Sequence, residues 1–335
     1  MSEPGHELKQ PGAQLMQAWQ VHQLGEPQDV LRLDEVPVPR PRDGETLLTV
    51  EACALNFPDV LLCRGNYQVK PELPFTPGLE VCGTDPNTGR RYAASPGLPH
   101  GGLAQQVAVP AQGLFPIPED MPAEQAAGLI ITYQTGYVGL HRRAQLREGE
   151  TLLVHAGAGG VGSAAIQLGL AAGARVLATA GGPEKVAVCR DLGAAIAIDY
   201  LADDFVAAVK DATNGRGADV IYDSVGGETF SRSTKCIAFE GRLLVVGFAS
   251  GQMVQAATNH ALIKNYSIVG LHWGLYHLKD PGVIPATHEA LIELYQAGKI
   301  KPLVADVLPM DQAPTGLARL SARGTVGKVV IRPNG

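Results

Sequence analysis

The stretch Thr151-Leu152-Leu153-Val154-His155-Ala156-Gly157-Ala158-Gly159-Gly160-Val161-Gly162, running on into Ser163-Ala164-Ala165-Ile166-Gln167-Leu168, decides how this chain is read. A short apolar run of strand length leads into glycines at 157, 159 and 162, spaced G-x-G-x-x-G, and an alanine-rich helical pattern follows. A Cβ at those positions would block the tight turn, the approach of backbone to a pyrophosphate, or the packing of helix on strand. The helix N-terminus then offers free N–H groups and a partial positive charge to a diphosphate. A glycine-rich turn without a ligand is the bland alternative, and the strand-to-helix context weighs against it.

Outward from the cradle, short apolar runs recur at the spacing of βα units: 151–155, 175–180, 195–199, 219–223, 242–247 and 267–270. Helical stretches such as 161–172 and 203–212 lie between them, and this rhythm predicts a doubly wound parallel sheet. Upstream, residues 18 to 118 show short, partly alternating runs separated by prolines, including 46–52 and 104–109, which predicts a small, mostly β domain. Residues 123–140 read as a helical bridge, 287–297 as a late helix and 328–331 as a last strand returning to the first domain. Residues 1–16 have no periodicity and are expected to be a flexible leader. The expected division is thus 17–138 with 275–335 as one domain and 139–274 as the dinucleotide domain, in line with a length of 335 residues.

Composition narrows the function classes. A net charge of −6, with no run of basic residues, leaves no electrostatic footprint for nucleic acid or an anionic membrane as the main partner. No stretch reaches 18 uninterrupted apolar residues, and no basic segment followed by an apolar one opens the chain, so a cytoplasmic location is expected. Cys53, Cys63, Cys82, Cys189 and Cys236 are odd in number, scattered and without a CxxC pair, which speaks against a disulfide framework or a thiolate zinc site. They are read as buried small hydrophobes. Ser163 and Ser224 lack a G-x-S-x-G elbow, which sets serine hydrolysis aside.

The choice of nicotinamide cofactor turns on the end of the second strand of the parallel sheet. An NAD-selective site places a carboxylate about 20 residues after the first glycine. The window here reads Ala178-Thr179-Ala180-Gly181-Gly182, without an acid. Small residues leave room for a 2′-phosphate, and Lys185 follows as its counter-charge, so NADPH is expected.

At this point the chain resembles the medium-chain dehydrogenase/reductases, and among them the zinc-free quinone oxidoreductases similar to zeta-crystallin. The resemblance covers nearly everything from Ala18 onward. It is carried by Asn56-Phe57-Pro58-Asp59, Arg64-Gly65-Asn66-Tyr67, Pro74-Phe75-Thr76-Pro77-Gly78-Leu79-Glu80, the glycine cradle, Asp223-Ser224-Val225-Gly226-Gly227, Val245-Val246-Gly247-Phe248 and Gly327-Lys328-Val329-Val330. It implies an α/β fold with a GroES-like, mostly β catalytic domain and an inserted Rossmann domain. Where zinc relatives bind catalytic metal through Cys, His and Cys, this chain aligns Asn56, Leu79 and Ile131, none of which replaces a thiolate or imidazole adequately. No metal site is therefore expected. Without a Lewis acid the suitable chemistry is reduction of an already electrophilic acceptor, a quinone or an enone.

The resemblance further implies Gly159, Gly160 and Val161 on the pyrophosphate, Lys185 and Tyr200 about the 2′-phosphate, and Val225, Gly247 and Phe248 along the ribose and nicotinamide. Asn56 and Thr135 match positions near the nicotinamide ring and its carboxamide. Tyr67 matches a cleft tyrosine and is the candidate proton donor, with a plain lining role as the alternative. The cluster His272-Trp273-Gly274-Leu275-Tyr276-His277 is a candidate for ring contacts near the nicotinamide or at a subunit edge, since the family commonly pairs subunits through the last Rossmann strand. A homodimer is expected on that ground. After Glu80 the chain departs from the family, with a shortened segment 81–92 that makes the substrate pocket less transferable. Two other readings stay open at this point: an enoyl reductase for acyl thioesters or enones, and a non-enzymatic NADPH-binding protein like the crystallin relatives.

Overall fold

A computed structural model describes residues 14–334. The chain divides into two compact units. The first runs up to Pro116 and includes Leu308–Ser321 and the residues from Ile331 on; the second is Ile117–Val307 with Ala322–Val330.

In the first unit the strands are β1 (Leu15–Val21), β2 (Leu31–Pro37), β3 (Glu45–Ala54), β4 (Val81–Thr84), β5 (Arg91–Ala94), β6 (Gln106–Pro110) and β7 (Leu114–Pro116). β1 and β2 form an antiparallel pair in which Leu15 faces Pro37 and Met16 faces Val36. The chain is therefore ordered two residues inside the leader expected over 1–16; residues 1–13 lie outside the described residues. β3 is the hub of the main sheet, antiparallel to β4 on one edge and β6 on the other. Its ten residues are long enough to bury Leu48, Val50, Ala52 and Cys53 completely. The shortened segment after Glu80 closes as a hairpin: β4 and β5 pair directly, and Asp85 accepts the N–H of Asn87 at 2.9 Å and the hydroxyl of Thr88 at 2.7 Å in the turn. This Asx-type turn closes the hairpin with no gap in the ladder. Residues from the chain end rejoin this unit, where Asn334 Nδ2 donates to Val50 O and Gln105 O.

The second unit carries β8 (Thr151–Val154), β9 (Arg175–Ala180), β10 (Ile196–Asp199), β11 (Ala218–Asp223), β12 (Ile237–Val245) and β13 (Ser267–Gly270). They form one sheet in the order β10-β9-β8-β11-β12-β13, and every adjacent pair is parallel. The strand order reverses between β8 and β11, and in such sheets ligands bind beyond the carboxyl ends at that reversal. Strands buried on both faces explain the unbroken apolar runs of the sequence. One face packs Leu153, Leu177, Ile221 and Leu243 against Phe205, Val206, Val209 and Phe230 from the covering helices. The expected boundary at residue 139 falls inside a helical segment. Residues 117–143 belong to the second unit because they pack on the Gly160–Ala171 helix, where a Cβ on Gly136 would meet Leu168 at 2.7 Å. The helix Val283–Gln296 belongs there too, tied by Tyr295 OH to Gln125 at 3.2 Å. All five cysteines are buried thiols. Among the described residues no helix is long and apolar enough to cross a membrane.

Candidate functional site

The cradle follows β8 directly. Ala156 turns the chain with φ +52°, Gly157 N–H bonds Thr179 O at 2.9 Å, and Gly159 is the N-cap of the Gly160–Ala171 helix. The glycines face different surroundings. A Cβ on Gly157 would reach Cys189 Sγ at 2.8 Å and Ala178 Cβ at 3.0 Å, and one on Gly162 would collide with the carbonyl of Ala156. On Gly159 the nearest atom would be Ala156 O at 3.3 Å, so the protein itself leaves that side open. The loop is held from the opposite side by Gly327, whose N–H donates to Ala158 O at 2.7 Å. Gly160 and Val161 open the first turn of the helix, whose N–H groups have no carbonyl partner within the helix. These features fit a dinucleotide diphosphate.

At the end of β9 the structure brings Tyr200 against Gly181, and Lys185 follows in the next helix. The Tyr200 hydroxyl lies where a Cβ on Gly181 would be only 2.7 Å away, and Tyr200 N–H bonds Ala180 O at 3.1 Å. Asp199 Oδ1 accepts the N–H groups of Gly182 and Leu201, which fixes the turn. Lys185 stands in the first turn of the Pro183–Asp191 helix, and its Nζ donates to Arg323 O at 2.6 Å. Arg323 in turn donates Nη2 to Ala249 O at 3.0 Å. Asp199 and Arg323 were not among the residues expected from the sequence. Arg323 gives no local signal, because it lies far along the chain from the cradle.

Val225, Gly247 and Phe248 also come together. Asp223, the last residue of β11, accepts the N–H of Val225 at 2.8 Å and of Gly226 at 3.0 Å through Oδ1. Val246, Ala249 and Ser250 donate backbone N–H groups back to Asp223, Ser224 and Val225, and Phe248 covers Gly226. Burial pushes the Asp223 carboxyl above its ordinary range, against the two backbone donors, and its Oδ2 is buried without a hydrogen-bond partner. Thr135 is nearly buried on the helical segment that packs over the cradle helix, next to a π-helical stretch Ile130–Gln134. The cluster at 272–277 follows β13, with Trp273 stacked on Tyr276 at 5.7 Å and edge-on to His277 at 5.8 Å.

Asn56 and Tyr67 belong to the first unit. Asn56 caps the Phe57–Cys63 helix; its N–H bonds Asp59 Oδ2 at 2.8 Å, and its Nδ2 donates to Ala54 O at 3.0 Å and Glu80 Oε1 at 2.9 Å. Both amide hydrogens thus have acceptors within the chain. Asp59 Oδ1 receives Gly78 N–H at 2.9 Å, and Asp59 and Glu80 are both fully buried. Tyr67 is half-buried, and burial first, then the Asp59 charge, raise its phenol above the ordinary tyrosine range. No group of three or more His, Cys, Asp or Glu suited to a metal occurs among the described residues. Grooves of about 560 Å³ lined by Gln17, Met310 and Asn334, and about 320 Å³ lined by Arg147, Glu150 and Arg242, hold none of the candidate residues.

Residues 160–292 match the zinc-binding dehydrogenase family model. A quinone oxidoreductase-like protein 2 homolog from Nematostella vectensis is 38% identical over 299 residues, covering 86% of this chain and 81% of its own. The quinone oxidoreductase of Sus scrofa is 27% identical over 96% of this chain and 98% of its own. Among solved structures, the quinone oxidoreductase of Thermus thermophilus, also determined in complex with NADPH, is 36% identical with a TM-score of 0.82, over 95% of this chain and 100% of that one. A mycobacterial protein complexed with NADPH, 32% identical, aligns with a TM-score of 0.87 over 95% and 100%. With the cradle, the parallel sheet order and these likenesses together, the chain belongs to the quinone oxidoreductase family of the medium-chain dehydrogenase/reductases.

Proposed function

We propose that this chain is an NADPH-dependent oxidoreductase that reduces quinones or conjugated carbonyl compounds without a metal ion. The observation that carries the reading is the turn at the end of β9, where Tyr200 lies against the small Gly181, the window 178–182 holds no acid, and Lys185 follows in the next helix. NADPH, when bound, supplies a hydride. Gly157, Gly159, Gly160, Val161 and Gly162 would take its diphosphate, and Lys185 and Tyr200 its 2′-phosphate. Val225, Gly247, Phe248 and Thr135 would border the ribose and nicotinamide.

Negative charge left on the acceptor oxygen needs a proton, and Tyr67 is the residue assigned to give it. A phenol held above its ordinary pKa is a donor that stays loaded through neutral and mildly alkaline pH. Asn56 holds the turn that carries Asp59, and Asp59 opposes ionisation of Tyr67. The metal-free part of the proposal rests on Asn56, Leu79 and Ile131 standing at the ligand positions of zinc relatives.

The proposed assembly is a homodimer. β13 is an edge strand paired, among the described residues, with β12 alone. Just before it in the chain, the Thr258–Lys264 helix buries none of its residues and leaves Leu262 77% and Ile263 74% exposed. Five buried cysteines that remain thiols agree with the cytoplasm as the proposed location. The test of function is turnover by EDTA-treated protein of a small quinone and a 2-enoyl compound in parallel, each with NADPH and with NADH. Quinone reduction with NADPH supports the proposal, faster enone reduction moves it to the enoyl reductases, and silence on both with NADPH bound rejects an oxidoreductase.

A further inference from the structure

His155 stands between β8 and the first cradle glycine and is 1% exposed. Its Nδ1 lies 2.9 Å from Thr179 Oγ1 and its Nε2 2.8 Å from Ser233 Oγ. The Ser233 hydroxyl donates to Thr229 O at 2.7 Å. Its oxygen therefore accepts from His155, so the ring hydrogen sits on Nε2. Nδ1 is left as an acceptor, and the Thr179 hydroxyl donates to it. The donors run in one direction: Thr179 to His155, His155 to Ser233, Ser233 to Thr229 O.

The relay joins three parts of the dinucleotide site. Thr179 is the last residue but one of β9, just ahead of the turn at Gly181 and Gly182 that leads to Lys185, and its carbonyl also receives the cradle's Gly157 N–H at 2.9 Å. Ser233 ends the Gly227–Ser233 helix, whose start is the turn 223–226 beside Gly247 and Phe248. An apolar residue at 155 would fill the same core space, against Phe205, whose ring lies edge-on at 5.0 Å. A side chain with one donor and one acceptor aimed in opposite directions is what bonds the end of β9 and the end of the Gly227–Ser233 helix at once.

We propose that His155 is a positioning residue of the cofactor site, which sets the 2′-phosphate turn through Thr179 and the nicotinamide-ribose turn through Ser233. The inference rests on the NADPH reading above. The two arms act on different ends of the cofactor, and this makes the proposal testable by binding alone.

Dissociation constants for NADPH and NADH are measured on the wild type and on Thr179→Val, Thr179→Ser and Ser233→Ala, with melting temperatures alongside. Loss of one neutral hydrogen bond predicts that Thr179→Val lowers the preference for NADPH over NADH by about fivefold. Thr179→Ser keeps the hydroxyl and restores the wild-type ratio. Ser233→Ala weakens both cofactors by about the same factor and leaves the ratio unchanged. A lower melting temperature with both constants unchanged in Thr179→Val and Ser233→Ala would overturn the proposal and leave the NADPH reading intact. A wild type that binds neither dinucleotide would overturn the NADPH reading itself.

Discussion

Lys185 donates its Nζ hydrogen to the backbone carbonyl of Arg323 at 2.6 Å, so the ammonium at the end of the β9 turn is already held in place by the segment that leads to Gly327 and the cradle. Replacing that carbonyl by a 2′-phosphate trades a neutral acceptor for a charged one, and charge-assisted bonds are roughly twice as strong as neutral ones. Lys185→Ala is expected to raise the NADPH dissociation constant by roughly tenfold and to change that for NADH less than about twofold. Titration by the fluorescence of the bound reduced nicotinamide measures both, and equal losses would remove Lys185 from this part.

Two cradle glycines should fail differently. Gly162→Ala drives a Cβ into the Ala156 carbonyl, a backbone group with no freedom to retreat, so it should cost about 1–3 kcal/mol of stability together with cofactor binding. Gly159→Ala meets only Ala156 O at 3.3 Å and should melt near the wild type, while its Cβ occupies the face left open for the diphosphate. Thermal melts and NADPH titration of the two variants separate the effects.

Tyr67 gives a pH dependence with a defined sign. Burial and then Asp59 raise its pKa, so the phenol is protonated at neutral pH and the rate should fall only as pH rises through a value above the ordinary tyrosine pKa of about 10. Tyr67→Phe should lose that alkaline limb and turn over the acceptor about 10²-fold or more slowly, with NADPH affinity unchanged. An unchanged rate would reduce Tyr67 to a lining residue.

His155 gives the opposite sign in stability. Burial, and then the Arg232 charge, pull its pKa down to about 3, below the value of about 6.5 it has when unfolded. The unfolded chain therefore takes up a proton that the folded chain refuses, and stability that is complete above about pH 6.5 is lost as pH falls toward about 3. His155→Gln removes this titration, so chemical denaturation across that range should show a shallower acid slope than in the wild type.

The parallel sheet was legible in the sequence because its inner strands are buried on both faces and read as apolar runs bounded by glycine turns, and the cradle because Gly157 and Gly162 are each demanded by a close approach. Residues whose parts depend on distant partners were not. Arg323 meets Lys185 through its backbone carbonyl, a contact that no side-chain pattern announces. His155 reads as the polar end of a strand until Thr179 and Ser233 are placed on either side of it. The side taken by residues 117–143 has a related reason, since they declare it only by packing on the cradle helix. Of the two acceptors of the Asn56 amide, Ala54 O is local and Glu80 Oε1 is likewise set by a distant part of the chain.

Metal-free, NADPH-linked reduction of a conjugated acceptor is tested most directly by the loss of reduced-nicotinamide absorbance when EDTA-treated, metal-analysed protein is mixed with NADPH and a small quinone, with NADH in a parallel run. The expected result is sustained quinone-dependent oxidation of NADPH, slower oxidation of NADH and no stoichiometric zinc. Oxidation that disappears with the chelator and returns on adding zinc, or NADPH bound without turnover of any conjugated acceptor, would contradict it.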